Sequence, residues 1–394
     1  MATFPEPGWL HDGQLQSALD TIAAHAADHD RTARFPFEGV ALLERLGVHR
    51  LTAPVAAGGG GAGLSVARTV AQRIGAADAS VGLLMLWQFM FWGELAMADH
   101  GWSASARAAA LGSVAEGPAL INALNVEPEL GSPSRGGLPA TRALRQPDGS
   151  WRLVGRKIYG TGIPVLRWLL VSATIDDGGP PRMGRFLVDT TLGGLRTEET
   201  WDHVGLRASA SHDVLFERTP VPAGHLIAQD LPDRRMPAPA ARGAWTATLV
   251  SAMYNGIAHA SRDWLVGYLH RRVPTQLGAP LASLPRMQTA VGEIALWLAV
   301  NDRLLDDMAR AVDSGDPAEQ RRAYAFAPLL KHQVTANVIA VTSAALELTG
   351  NPGHSRHHPA ERHLRDALTG RIHTPQSDVV LLQAGQAALA EAAP

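Results

Sequence analysis

The sequence predicts an α+β protein in three parts: a helical N-terminal region, a small β-domain and a C-terminal helical bundle. Three observations carry this. Apolar residues recur at three- and four-residue spacing over about 10–115 and again beyond 243. Between them lie short segments of strand-like content, set off by Gly, Pro and Asp turns. The chain has 394 residues, enough for two or three domains and a large core. The changes in texture place domains at 1–117, 118–230 and 231–394.

Helical periodicity is plain at 15–29 and 37–46, then at 64–74 and 81–98. The last of these is apolar nearly all round, which predicts burial. Residues 58–61 are four glycines; no Lys-Ser or Lys-Thr follows and no strand pattern precedes, so a turn between helices is the better account than a phosphate cradle. Strands are predicted at 151–154, 168–173, 184–188 and 213–216. A linker rich in Pro and Ala follows at 229–242. Long periodic segments at 244–270, 284–313, 317–349 and 377–392 then predict antiparallel helices.

The totals exclude several classes. A formal net charge of −2 provides no field for nucleic acid or an anionic membrane. There is no cysteine, hence no disulfide, thiolate metal site or cysteine nucleophile. The first residues lack the pattern of a signal peptide, and the apolar run near 81–92 is interrupted by Gln88 and too short to span a bilayer. A cytoplasmic protein is expected. Lys is scarce beside Arg, Ala, Gly and Pro, a bias that fits a GC-rich bacterial genome.

Five segments, in order along nearly the whole chain, carry a family resemblance. They are 35–63 (FPFEGVALLERLGVHRLTAPVAAGGGGAG), 127–132 (EPELGS), 154–162 (VGRKIYGTG), 200–221 (TWDHVGLRASASHDVLFERTPV) and 350–376 (GNPGHSRHHPAERHLRDALTGRIHTPQ). Together they resemble the acyl-CoA dehydrogenase superfamily. The resemblance implies its fold, with an N-terminal helical domain, a central β-sheet domain and a C-terminal four-helix bundle, and a flavin cofactor. A flavin needs aromatic or apolar faces, donors near N5 and O4, and cations or amides at its phosphate. By the resemblance Tyr159 lies against the isoalloxazine and the Thr161 hydroxyl reaches N5 or O4. Arg272, with Arg271 as the alternative, meets the diphosphate across a subunit interface, with Leu277 beside it. Thr349, Gly350, Thr374 and Gln376 complete the cofactor set. Read without the family, Tyr159 is a half-buried strand aromatic and Thr161 a turn residue.

The family's catalytic carboxylate is missing. Most members place a Glu where this chain has Thr374; a branch places it on the first bundle helix, where this chain has Trp245 and Thr246, and no carboxylate occurs over 243–259. Neither residue type serves as a base at neutral pH. A second branch lacks the Glu and comprises two-component flavin monooxygenases, such as dibenzothiophene monooxygenase, p-hydroxyphenylacetate hydroxylase and the amino-sugar nitrososynthases. Resemblance to that branch implies reduced flavin (FAD or FMN) from a separate NAD(P)H-dependent reductase, O2 as co-substrate, a C4a-hydroperoxide, and a homotetramer or dimer. It puts His373 and Thr161 at the catalytic positions, with His373 passing a proton. The aromatic helix segment with Trp87, Gln88, Phe91 and Trp92 suits a small aromatic or heterocyclic substrate, with Gln88 as polar anchor and Asn125 as a further donor. A packed core helix and a turn residue are the plain alternatives. Two rivals remain: an acyl-CoA dehydrogenase or oxidase with a relocated base, and a non-catalytic flavin- or acyl-binding scaffold.

Other constellations read as structure. His354, His357, His358 and His363 follow one another at spacings of three, one and five, and Pro359 breaks the helix, so no metal site is expected. Arg362, Arg365, Asp366 and Arg371 read as a charge network under the flavin tail. Ser209, Ser211, His212 and Asp213 imitate a triad by composition only.

Overall fold

A computed structural model describes residues 8–10, 12–130, 137–231, 236 and 239–391. Gly131 and Ser132 of the EPELGS segment and part of the expected linker lie outside these residues. The N-terminal part holds α1 (Gln14–Thr32), α2 (Phe37–Arg45), α3 (Leu64–Ala77), α4 (Ala79–Ala96) and α5 (Ala104–Glu116). α3 runs directly into α4 through Asp78, whose carboxylate accepts from Ser80 and Val81 amides and so starts the second helix. The glycine loop is a turn. The amides of Gly59, Gly60 and Gly61 donate back to Pro54, Arg50 and Ala53 carbonyls, so none is free to cradle an anion.

The middle of the chain forms one mixed sheet of eight strands: β1 (Leu120–Leu124), β2 (Arg142–Arg145), β3 (Trp151–Gly160), β4 (Leu166–Asp176), β5 (Arg182–Asp189), β6 (Leu195–Glu198), β7 (His212–Val221) and β8 (Leu226–Gln229). The order is β6-β7-β3-β2-β4-β5-β8. β1 and β2 share one edge of β4, β1 parallel to its first half and β2 parallel to its second. A buried ion pair fixes the β1–β2 connection to β3: Lys157 Nζ is 2.6 Å from Glu127 Oε1. Glu127 also accepts the Ala140 and Thr141 amides, and Lys157, followed by Thr141, holds its pKa down despite burial.

The C-terminal part holds α6 (Arg242–Arg271), α7 (Pro285–Asp313), α8 (Pro317–Thr349), α9 (Ala360–Leu368) and α10 (Ser377–Glu391). α6 is the central helix and packs against α3, α4, α7, α8 and α9. Its crossing with α3 is a backbone contact. A Cβ at Gly75 would sit 2.2 Å from Met253 O, and one at Gly256 would sit 2.1 Å from Gln72 O. Among the described residues α4 alone is long and apolar enough to cross a membrane by composition, and 89% of it is buried in the protein core.

Candidate active site

The ladder between β3 and β7 loses register between Lys157 and Gly160. There Tyr159 adopts a left-handed backbone, φ 65°. A bulge of this kind re-aims a side chain, and this one leaves the Tyr159 ring 48% exposed at the sheet end. Its edge meets Trp201 and His203, which stack on each other with centroids 3.6 Å apart. Two residues on, the buried Thr161 hydroxyl lies 2.8 Å from Ser211 Oγ, which lies 2.8 Å from Ser209 Oγ. Three hydroxyls share two hydrogen bonds, which leaves one hydroxyl hydrogen of the set without an acceptor among the described residues. Asn122 Nδ2 and the Gly162 amide, donating to Thr161 O and Ser209 O, hold the turn in place.

His373 follows α9 on a segment that packs on α6 and α8. Its Nδ1 is 2.8 Å from the hydroxyl of Tyr254 on α6, which is fully buried. Tyr254 also lies 2.8 Å from Thr369 Oγ1, whose hydroxyl donates to Asp366 O at 2.5 Å. Burial holds the Tyr254 phenol protonated. Burial pushes the His373 pKa down to about 4, with the Lys331 charge adding to the shift, so the imidazole is neutral at pH 7. Lys331, on α8 and fully buried, donates to His373 O at 2.6 Å and Pro375 O at 3.1 Å. Burial lowers its own pKa to about 8.

Loop 206–211 supports both groups. Ser211 is bonded to Thr161, and the Leu206 amide donates to Asp366 Oδ1 at 2.7 Å. Asp366 is buried, and burial raises its pKa to about 7. Thr374, where the sequence resemblance expects the carboxylate, is exposed, and Gln376 is partly buried. Trp245, expected from the resemblance at the alternative carboxylate position, is a buried ring packed against Gly93, where a Cβ would come within 2.7 Å of it.

The helix with the aromatic cluster departs from expectation at Gln88. Its Nε2 donates to Leu84 O at 3.1 Å and Ile121 O at 3.0 Å, and its Oε1 accepts the Ile121 amide at 2.8 Å. One donor stays within α4, and the other, with the Oε1 acceptor, clamps α4 to β1, so Gln88 is a scaffold residue and not a substrate anchor. On the same helix Trp92 Nε1 is buried with no acceptor among the described residues. Trp87 stacks on Phe91 at 6.1 Å. Asn125 is partly committed as well, since its Oδ1 accepts from Ser172. Glu94, the buried carboxylate on α4, gathers Arg185, Arg242 and Trp102 Nε1 on its Oε1, while its Oε2 has no hydrogen-bond partner among the described residues.

Arg272 and Leu277 are exposed just beyond α6. Among the described residues no side-chain hydrogen bond or ion pair engages the Arg272 guanidinium, which is therefore available to an anion. Thr349 is turned inward, its hydroxyl bonded to Ala345 O and Leu346 O within α8, and Gly350 ends that helix at φ 63°. An exposed aromatic platform, a hydroxyl with a spare hydrogen and an unpaired guanidinium fit a flavin. Arg365 pairs with Asp30 and Glu361 and donates to Val204 O, tying α9 to α1 and to the segment after β6. His212 Nδ1 accepts the Trp201 amide and Asp213 binds Arg156, so the Ser-His-Asp run is dispersed.

Comparison with known proteins places these features in a family. Residues 15–117 match the acyl-CoA dehydrogenase N-terminal domain and 248–377 the acyl-CoA dehydrogenase C-terminal domain. A Bacillus subtilis protein assigned by name to the acyl-CoA dehydrogenases is 31% identical over 95% of this chain and 94% of its own length. The L-evernosamine nitrososynthase of a Micromonospora species is also 31% identical, over 95% of this chain and 88% of its own. The fold matches that of KijD3 in complex with FMN and a dTDP-linked amino sugar, with TM-score 0.84, 24% identity and coverage of 99% and 95% of the two chains.

Proposed function

This chain belongs to the acyl-CoA dehydrogenase superfamily of flavin-dependent oxidoreductases, and from that premise we propose that it is a flavin-dependent monooxygenase acting on a small aromatic or heterocyclic substrate. One observation carries the reading. Both places where the family keeps its base lack a carboxylate, with Thr374 at one and Trp245 at the other, and a neutral histidine, His373, stands beside the first. Bound reduced flavin, FAD or FMN, would supply the electrons that activate O2. Tyr159 would back the ring and Thr161 would direct its hydroxyl hydrogen at the cofactor. Arg272 and Leu277 would receive the phosphate end, and Gly350, Thr349, Thr374 and Gln376 would close the site. Trp87, Phe91 and Trp92 would face the substrate, with the unpartnered Trp92 Nε1 taking the anchoring role. A separate reductase would deliver the flavin, and a homo-oligomer would bring a partner subunit to the phosphate end.

A second reading draws on the same histidine. Neutral at pH 7 and adjacent to the vacated position, His373 could serve an acyl-CoA dehydrogenase as its relocated base. The test is a stopped-flow mixing of the protein, preloaded anaerobically with reduced FMN or FAD, against O2. A transient absorbing species that precedes oxidised flavin supports the monooxygenase. Direct appearance of oxidised flavin with an equivalent of H2O2 overturns it. Anaerobic bleaching of bound oxidised flavin by an acyl-CoA supports the dehydrogenase instead. Failure to bind either flavin state favours a scaffold.

A further inference from the structure

A chain of hydrogen bonds with one fixed end determines which nitrogen of His373 carries its hydrogen. The fixed end is the Asp366 carbonyl, which can only accept. Thr369 Oγ1 is 2.5 Å from it, too close for two oxygens without a hydrogen between them, so the Thr369 hydrogen lies there. Tyr254 is then the donor in its 2.8 Å contact with Thr369. A phenol has one hydrogen, so the Tyr254 oxygen must accept in its 2.8 Å contact with His373 Nδ1. Nδ1 therefore bears the hydrogen and Nε2 of the neutral ring is a bare lone pair.

We propose that Tyr254 is a positioning residue that holds His373 as the Nδ1–H tautomer, so that the imidazole meets its ligand as a hydrogen-bond acceptor and not as a proton donor. This rests on the reading of His373 as the site's titratable group, and it narrows the substrate to one that presents an N–H or O–H, or a C–H acidic enough to ionise. The proton step is simple. A hydrogen leaves the substrate atom for Nε2, the bonding pair stays on the substrate, and the ring becomes imidazolium. Among the described residues no carboxylate contacts Nδ1 to stabilise that cation, and Lys331 on α8 opposes it. Lys331 contributes a second constraint by holding the backbone at His373 O and Pro375 O, so ring and main chain are fixed from two helices.

The test uses nitrogen-15 NMR at pH 7 on protein labelled at the histidine imidazoles, with His373→Gln assigning the signal. It needs neither flavin nor substrate, so its outcome is independent of the proposed activity. Wild type is expected to show a hydrogen on Nδ1 and a bare Nε2. Thr369→Val frees the Tyr254 hydrogen to point at Nδ1 and should switch His373 to the Nε2–H form; Tyr254→Phe, which removes the acceptor, should do the same. A role confined to packing would leave the tautomer unchanged in a folded Thr369→Val protein. That result, or an Nε2–H wild type, overturns the proposal.

Discussion

Replacing Gln88 by Leu separates a scaffold residue from a substrate anchor. The substitution keeps the volume and apolar character of α4 but removes three hydrogen bonds. The Leu84 carbonyl keeps its helical partner, so the loss falls on the Ile121 amide and carbonyl. A buried backbone group left without a partner costs about 1–3 kcal/mol. Two of them cost about 2–6 kcal/mol, offset by about 1 kcal/mol from the added apolar burial, which leaves about 3 kcal/mol. Unfolding entropy near 2.1 cal/mol/K per residue over 394 residues gives about 0.8 kcal/mol/K. The midpoint of thermal unfolding should therefore fall by roughly 3–4 °C. Gln88→Glu should fall further, and increasingly so as pH rises, because a carboxylate would face two carbonyl oxygens. Differential scanning calorimetry on the three proteins reads both effects. A Gln88→Leu midpoint within about 1 °C of wild type, with the Glu variant equally stable, would refute the clamp and return Gln88 to the pocket.

Thr161→Val breaks the link to Ser211, and flavin affinity measured by fluorescence titration should weaken by about tenfold, equivalent to ~1.4 kcal/mol. Lys331→Met removes the charge that opposes imidazolium, so the His373 pKa should rise from its value of about 4 in an NMR titration; an unchanged or lower value counts against the electrostatic account. Asp366 has its folded pKa raised to about 7 above an unfolded value near 3.8, so its contribution to stability is full at acid pH and lost as pH rises through about 7. Asp366→Asn keeps an acceptor for the Leu206 amide, and its melting temperature should gain on wild type between pH 5 and pH 8; a constant difference across that range speaks against burial as the cause.

The long helices were legible because their periodicity runs for many turns. The expected segment 317–349 coincides with α8, and the capping Asp78 explains why α3 reaches Ala77 where the apolar pattern stops at Ile74. Short strands were not legible. β2 reads RALR and β6 reads LRTE, with little β-branched content, and both owe their conformation to the neighbour they pair with. In the site, Tyr159 and Thr161 were reachable through the family pattern, although nothing local announced that Tyr159 would sit at positive φ on a bulge. Gln88 misled for a physical reason. A polar group among aromatics on a buried helix has the same appearance whether it waits for a ligand or satisfies a backbone, and its partner, Ile121, lies 33 residues away. Tyr254 was invisible for the same reason, since 119 residues separate it from His373.

One compositional signal did point at the site. Of the chain's 35 cationic side chains only Lys157 and Lys331 are lysines, and both are fully buried. Lysine is ordinarily among the most exposed residues. In a chain that uses arginine at every other cationic position, a retained lysine marks a place where the two side chains are not equivalent. At Lys331 the reason is geometric. A compact ammonium can donate to two carbonyls that converge on one point, whereas a guanidinium spreads its donors in a planar fork and needs more room. The carbonyls in question belong to His373 and Pro375. The scarce residue type thus leads from composition, through one buried donor, to the segment that carries the histidine. Its charge also adds to what keeps that histidine neutral. Burial disfavours a charged ring first and the Lys331 ammonium adds to it, while the Tyr254 oxygen accepts from Nδ1 in either state.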